Sequence, residues 1–98
     1  MADITITRED HETRGRYVAR LAGIDAEAEL TYSRTSPKLI IADHTGVPDA
    51  FRGQGVGLKL VERLVADARS GDYKVFALCP FVKAQWQKHP EWNDVFQG

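Results

Sequence analysis

A chain of 98 residues, 43% hydrophobic and 28% charged, has the material for one small domain with a single core, and the expectation is one domain over residues 1–98. A formal net charge of -1 gives no global attraction to nucleic acid or to an anionic membrane, so any bound anion has to be held by local groups. The single cysteine, Cys79, has no partner for an internal disulfide, and the opening residues show no long apolar run; a cytoplasmic chain without signal peptide or membrane span is expected.

In chain order, Ile4 and Ile6 alternate with threonines, which reads as a strand, and residues 8–12 read as a charged loop. Tyr17, Ala19 and Leu21 alternate with Arg16, Val18 and Arg20 up to the turn signal Gly23-Ile24-Asp25. Residues 26–32 form a half-buried strand and residues 33–38 a loop. The apolar run of residues 39–42 predicts a central strand covered on both faces, carried on by residues 43–47 and ended by Pro48.

Gly57, Leu60, Val61, Leu64, Val65 and Ala68 then follow helical spacing, with Lys59, Glu62, Arg63 and Asp67 on the opposite side. Ser70-Gly71-Asp72 stops this helix, and residues 73–78 predict a buried strand. Strand, glycine turn, helix and strand make a crossover unit with parallel or near-parallel strands. Residues 81–88 predict a short helix with Val82 and Trp86 on one face. Trp92 and Phe96 close the chain; with Trp86 they line an acceptor groove or pack the last helix onto the core.

The most informative stretch is residues 47–58. Three glycines in five residues, Gly53, Gly55 and Gly57, make a poor helix start unless bare backbone is needed there. A bound anion supplies that need, because N–H groups at a helix start lack intrahelical partners and sit at the positive end of the dipole. Two phosphate motifs fail on spacing. A dinucleotide fingerprint starting at Gly53 wants Gly or Ala where Leu58 stands, and a Walker loop wants Gly-Lys-Ser/Thr where the chain reads Gly57-Leu58-Lys59.

Arg52-Gly53-Gln54-Gly55-Val56-Gly57 instead resembles the acetyl-coenzyme A loop of the GNAT superfamily of N-acetyltransferases, whose signature is Arg or Gln, two residues, Gly, one residue, Gly or Ala. His44-Thr45, Val47-Pro48, Leu78-Cys79-Pro80-Phe81-Val82 and His89-Pro90-Glu91 are similar to a small single-domain branch of that superfamily. The resemblance implies a mixed α/β fold: a mostly antiparallel sheet with a strand, glycine loop, helix, strand unit. It implies acetyl-coenzyme A as cosubstrate, its pyrophosphate cradled by main-chain amides of Arg52, Gly53, Gln54, Gly55, Val56 and Gly57. Val47 then sits where the pantetheine arm pairs with strand backbone, in a splay before the strand at residues 74–78. Diverging strands leave peptide groups unpaired, and an amide-containing ligand satisfies them. Arg52 and Lys59 add charge near the phosphates or are solvated cations.

Two departures from the superfamily pattern bear on catalysis. Acetyl transfer needs a neutral amine, while a free lysine amine has a pKa near ~10.4. The glutamate that many of these enzymes carry before the phosphate loop is absent from His44-Thr45-Gly46-Val47. His44 serves as the base, or is a structural histidine; an unperturbed imidazole titrates near ~6.5. The tyrosine that protonates the departing thiolate is also absent: Tyr17, Tyr32 and Tyr73 all lie earlier, and the corresponding helix offers Gln85 and Trp86. Cys79, at the end of the strand flanking the splay, is either a nucleophile that accepts the acetyl group or an inert small hydrophobe. His44 or His89 would activate it if the fold brings one near. The expected activity is acetyl transfer to an amine, on a small molecule or a protein surface. The rival is a non-catalytic acetyl-coenzyme A sensor or protein-interaction module. No metal site, nucleic-acid partner or membrane partner is expected.

Overall fold

A computed structural model describes residues 3–51 and 53–98. Strands β1 (Ile4–Asp10), β2 (Arg14–Leu21), β3 (Glu27–Ser36) and β4 (Leu39–Gly46) form an antiparallel meander. Helix α1 (Val56–Gly71), strand β5 (Lys74–Ala77), helix α2 (Pro80–Gln87) and strand β6 (Phe96–Gln97) follow. The sheet holds its six strands in sequence order, with β4–β5 and β5–β6 parallel. This is the mixed α/β fold with the crossover unit that the sequence predicts.

The β4–β5 and β5–β6 connections step in the same direction across the sheet, and with the right-handed sense usual for parallel strands both helices fall over one face. Tyr17, Leu30 and Ala42 from the strands join Leu60, Leu64 and Val82 from the helices in one core. The opposite face carries no helix. On it Arg16 ties Glu9 and Glu29, each at 3.0 Å, and Arg20 reaches Glu27 at 2.6 Å. Leu39 and Ile41 are therefore only half-buried, which corrects the expectation that β4 is covered on both faces.

Three boundaries differ from the sequence reading. β1 runs through Asp10, because Arg8 turns toward the helices: its guanidinium lies 5.3 Å from the Tyr17 ring and 5.2 Å from the Tyr32 ring, and it bonds the Tyr32 hydroxyl at 2.9 Å and Asp67 at 3.2 Å. β3 takes in residues 33–36, which read as loop. β6 has two residues, paired through Val75↔Phe96 and Phe76↔Gln97, too short to show a period of its own. The end of α1 is as expected: Asp72, at φ 56°, takes the left-handed conformation and its N–H bonds the carbonyls of Ala68 and Arg69. No helix among the described residues is long and apolar enough to cross a membrane.

Candidate active site

The site begins with one surplus residue in β4. Tyr32 pairs with Ala42 and Thr31 with His44, so Asp43 is unopposed. Such a bulge bends the strand and breaks the two-residue alternation of its side chains. Ile40 and Ala42 are buried toward the helices, whereas Asp43 accepts a 2.7 Å bond from the hydroxyl of Ser33 on the bare face. His44 is exposed on that same face, its ring beside Gly46: a Cβ added at Gly46 would stand 3.4 Å from Nε2. Thr45 returns to the helix side.

Past the bulge, β4 and β5 part. Their register ends at Ala42↔Ala77, and the Cys79 N–H bonded to the Ala42 carbonyl at 2.9 Å is the last backbone tie between β4 and the chain after β5. Residues 44–46 keep β3 on one side and lose β5 on the other. Among the described residues the exposed large hydrophobics are Val47, 39% exposed, and Leu78, 58% exposed, and each follows one of the parting strands. Unpaired strand backbone between two apolar lips is suited to an extended chain that carries amides.

The glycine loop follows Val47 in the chain and leads into α1. Gly53 and Gly55 have φ of 80° and 70°, and a Cβ at either would meet nothing within 4 Å, so both are there for backbone conformation over open space. Gly55 caps α1 without a side-chain bond, and its carbonyl accepts the Lys59 N–H at 3.1 Å. Among the described residues the N–H groups of Gly57 and Leu58 make no hydrogen bond, as donors in the first turn of a helix lack intrahelical partners. Gln54 donates its N–H to Phe51 at 3.2 Å. Gly57 has a packing duty too: a Cβ there would stand 2.6 Å from the ring of Phe81. Arg52 lies outside the described residues, Val56 is buried, and the exposed Lys59 pairs with Glu62 at 3.4 Å.

Cys79 is 4% exposed, caps the N-terminus of α2, and has its Sγ 3.4 Å from the Thr45 hydroxyl. Sequence reasoning passed over Thr45, since nothing in the residue order announces a bulge at Asp43. Neither histidine is brought to the sulfur: His44 stands on the other face, and His89 has Nδ1 2.7 Å from the Gln85 carbonyl and stacks on Trp92 at 4.1 Å. Trp92 and Phe96 are buried, and Trp86 packs on Phe96 at 5.6 Å, so the closing aromatics form core.

The three tyrosines are committed elsewhere. Tyr17 donates to Asp67 at 2.7 Å, Tyr32 donates to Asp10, and the Tyr73 hydroxyl accepts from Arg8 at 3.3 Å. Burial pushes the Tyr17 phenol far above its ordinary range, and the bond to Asp67 adds to the rise. Among the described residues no three His, Cys, Asp or Glu side chains stand together as a metal site.

The profile of the GCN5-related N-acetyl-transferase family matches residues 16–95. The solution structure of a GCN5-like putative N-acetyltransferase from Staphylococcus aureus is similar in fold, with a TM-score of 0.72, 35% identity, and 96% of this chain and 88% of that one covered. Protein NATD1 of Homo sapiens is 29% identical over 84 residues, 85% of this chain and 74% of the relative. Protein NATD1 of Xenopus tropicalis is 30% identical over 84 residues, 85% of this chain and 77% of the relative. With the parting strands and glycine loop inside the matched span, the chain belongs to the GCN5-related N-acetyltransferase family.

Proposed function

We propose that this protein is an N-acetyltransferase that takes acetyl-coenzyme A as cosubstrate and passes the acetyl group to an amine, with Cys79 as the first acceptor. The gap opened by the Asp43 bulge carries this reading: its strand backbone is unpaired, Val47 and Leu78 stand at its lips, and Cys79 stands at its floor. The pantetheine arm lies along β4 between those lips. The pyrophosphate rests on the loop of residues 53–57 and on the N–H groups of Gly57 and Leu58, which make no hydrogen bond among the described residues.

In the first half-reaction the Cys79 S–H bond breaks, its sulfur bonds the acetyl carbon, and the thioester C–S bond breaks. The thiol proton goes to water and the coenzyme A thiolate regains one from water. One thioester replaces another, so this step is freely reversible. In the second half-reaction a neutral amine attacks the Cys79 thioester from the bare face: the nitrogen bonds the acetyl carbon, the C–S bond to Cys79 breaks, His44 takes the proton the nitrogen loses, and the Cys79 thiolate regains a proton from water. The acceptor is small, or is a lysine on a protein surface, because the sheet face beside His44 is open.

Reversibility supplies a test that needs no acceptor. Mixed with acetyl-coenzyme A and labelled free coenzyme A, the wild type is expected to scramble the label between the two, and Cys79→Ser is expected to abolish scrambling. A wild type that never exchanges label and shows no acetylated Cys79 by intact mass sinks the covalent route. A sensor that binds acetyl-coenzyme A without turnover is the second reading. It is favoured by the engagement of Tyr17, Tyr32 and Tyr73, which leaves no tyrosine for the departing thiolate. Binding with neither label exchange nor thiol release across a panel of amines and lysine peptides would establish it.

A further inference from the structure

We infer that Thr45 is the positioning residue for Cys79: its hydroxyl fixes the sulfur in the gap and hydrogen-bonds the thiolate as it forms. The inference rests on the reading of Cys79 as acetyl acceptor. Unbroken alternation from Ala42 would place His44 toward the helices and Thr45 on the bare face. The surplus Asp43 reverses this, and the side chain that meets the sulfur is a hydroxyl, at 3.4 Å.

The same strand holds Cys79 twice. Its N–H is tied to the Ala42 carbonyl at 2.9 Å and its sulfur to Thr45, three residues further along β4. Cys79 therefore follows β4 where β5 no longer does. Its carbonyl accepts the Lys83 N–H at 3.0 Å, so the backbone is fixed on the α2 side as well. Among the described residues, Thr45 supplies the one side-chain hydrogen bond to this sulfur.

A threonine suits the task for two reasons. The branched Cβ restricts χ1, so the oxygen has few positions to occupy. A hydroxyl also works in both protonation states of its neighbour, accepting from S–H before attack and donating to the thiolate as the proton leaves for water. A hydrogen bond to a charged partner is the stronger kind, and it is made only once charge develops on sulfur.

Three variants decide the matter: Thr45→Val, which keeps the shape without the hydroxyl, Thr45→Ser, which keeps the hydroxyl, and Thr45→Ala, which removes the hydroxyl should the valine variant fail to fold. Two rates are read on each folded protein: label exchange between acetyl-coenzyme A and coenzyme A, and alkylation of Cys79 by iodoacetamide followed by intact mass. Thr45→Val and Thr45→Ala are expected to slow both by about tenfold to a hundredfold, the size of a lost charge-assisted hydrogen bond, with Thr45→Ser staying within about threefold of wild type. Wild-type rates in the valine and alanine variants overturn the proposal, and so does a serine variant as slow as valine. The alkylation arm runs without acetyl-coenzyme A. If the wild type exchanges no label while alkylation still falls in valine and recovers in serine, the covalent function fails and the positioning role stands.

Discussion

Two side chains and one missing side chain show how closely the helices are fitted to the sheet. Gly57 lets the Phe81 ring approach to 2.6 Å of where a Cβ would be, which brings the start of α1 against α2. Alanine there gains up to about 1 kcal/mol of helix propensity but overpacks the contact, which costs about 1–3 kcal/mol. We expect Gly57→Ala to lower unfolding free energy in a denaturant titration, and Phe81→Leu in the same chain to restore part of the loss. Tyr17 makes a prediction in pH. Its folded-state value is raised, by burial first and then by Asp67, above the ordinary phenol value. The stability this represents is fully present below pH ~10, where a free tyrosine begins to ionise, and is lost as pH rises from there toward the folded value. Unfolding free energy should therefore decline above pH ~10, less steeply in Tyr17→Phe. A residual slope is expected from Tyr32, raised by burial and its bond to Asp10.

At the scale of elements, most of the fold is legible in residue order because most of it is periodic. The apolar stripe of α1 and the alternation of β2 each report one buried face. What escaped was tertiary in origin. Residues 8–10 look like loop until Tyr17, Tyr32 and Asp67 surround Arg8, and β6 is a strand only because Val75 pairs with Phe96. Of the candidate site, the loop of Gly53, Gly55 and Gly57 was readable from its glycines, and Cys79 from its place after a strand. Thr45 was not, since a bulge depends on what the neighbouring strand can match. The bulge can be tested by removal. Deleting Asp43 keeps Ala42 and Thr45 toward the helices and His44 on the bare face, because the pattern then alternates without interruption. Circular dichroism should show a folded protein, while the straightened strand should have lost the thermal stabilisation by acetyl-coenzyme A that is expected of the wild type. Undiminished stabilisation of the deletion variant would separate the bulge from ligand binding.

For the whole molecule, a chain of 98 residues gives binding a large thermal signature. A ligand at about a hundred times its dissociation constant adds about 2.7 kcal/mol, and each kcal/mol moves the midpoint of a domain this size by about 4–8 °C. Acetyl-coenzyme A and coenzyme A should each raise Tm by more than about 10 °C. Gly55→Glu, which puts a carboxylate and a disfavoured backbone angle where the diphosphate would lie, should remove that rise.

The parting of β4 from β5 has an evolutionary corollary. The unpaired edge of that gap is made of peptide groups, the same whatever side chains β4 bears, so substitutions there that respect strand geometry leave it in place. The uncovered sheet face around His44 instead presents side chains, which substitution changes directly. At 27–35% identity, relatives can therefore share the parted strands while differing in the side chains of that face.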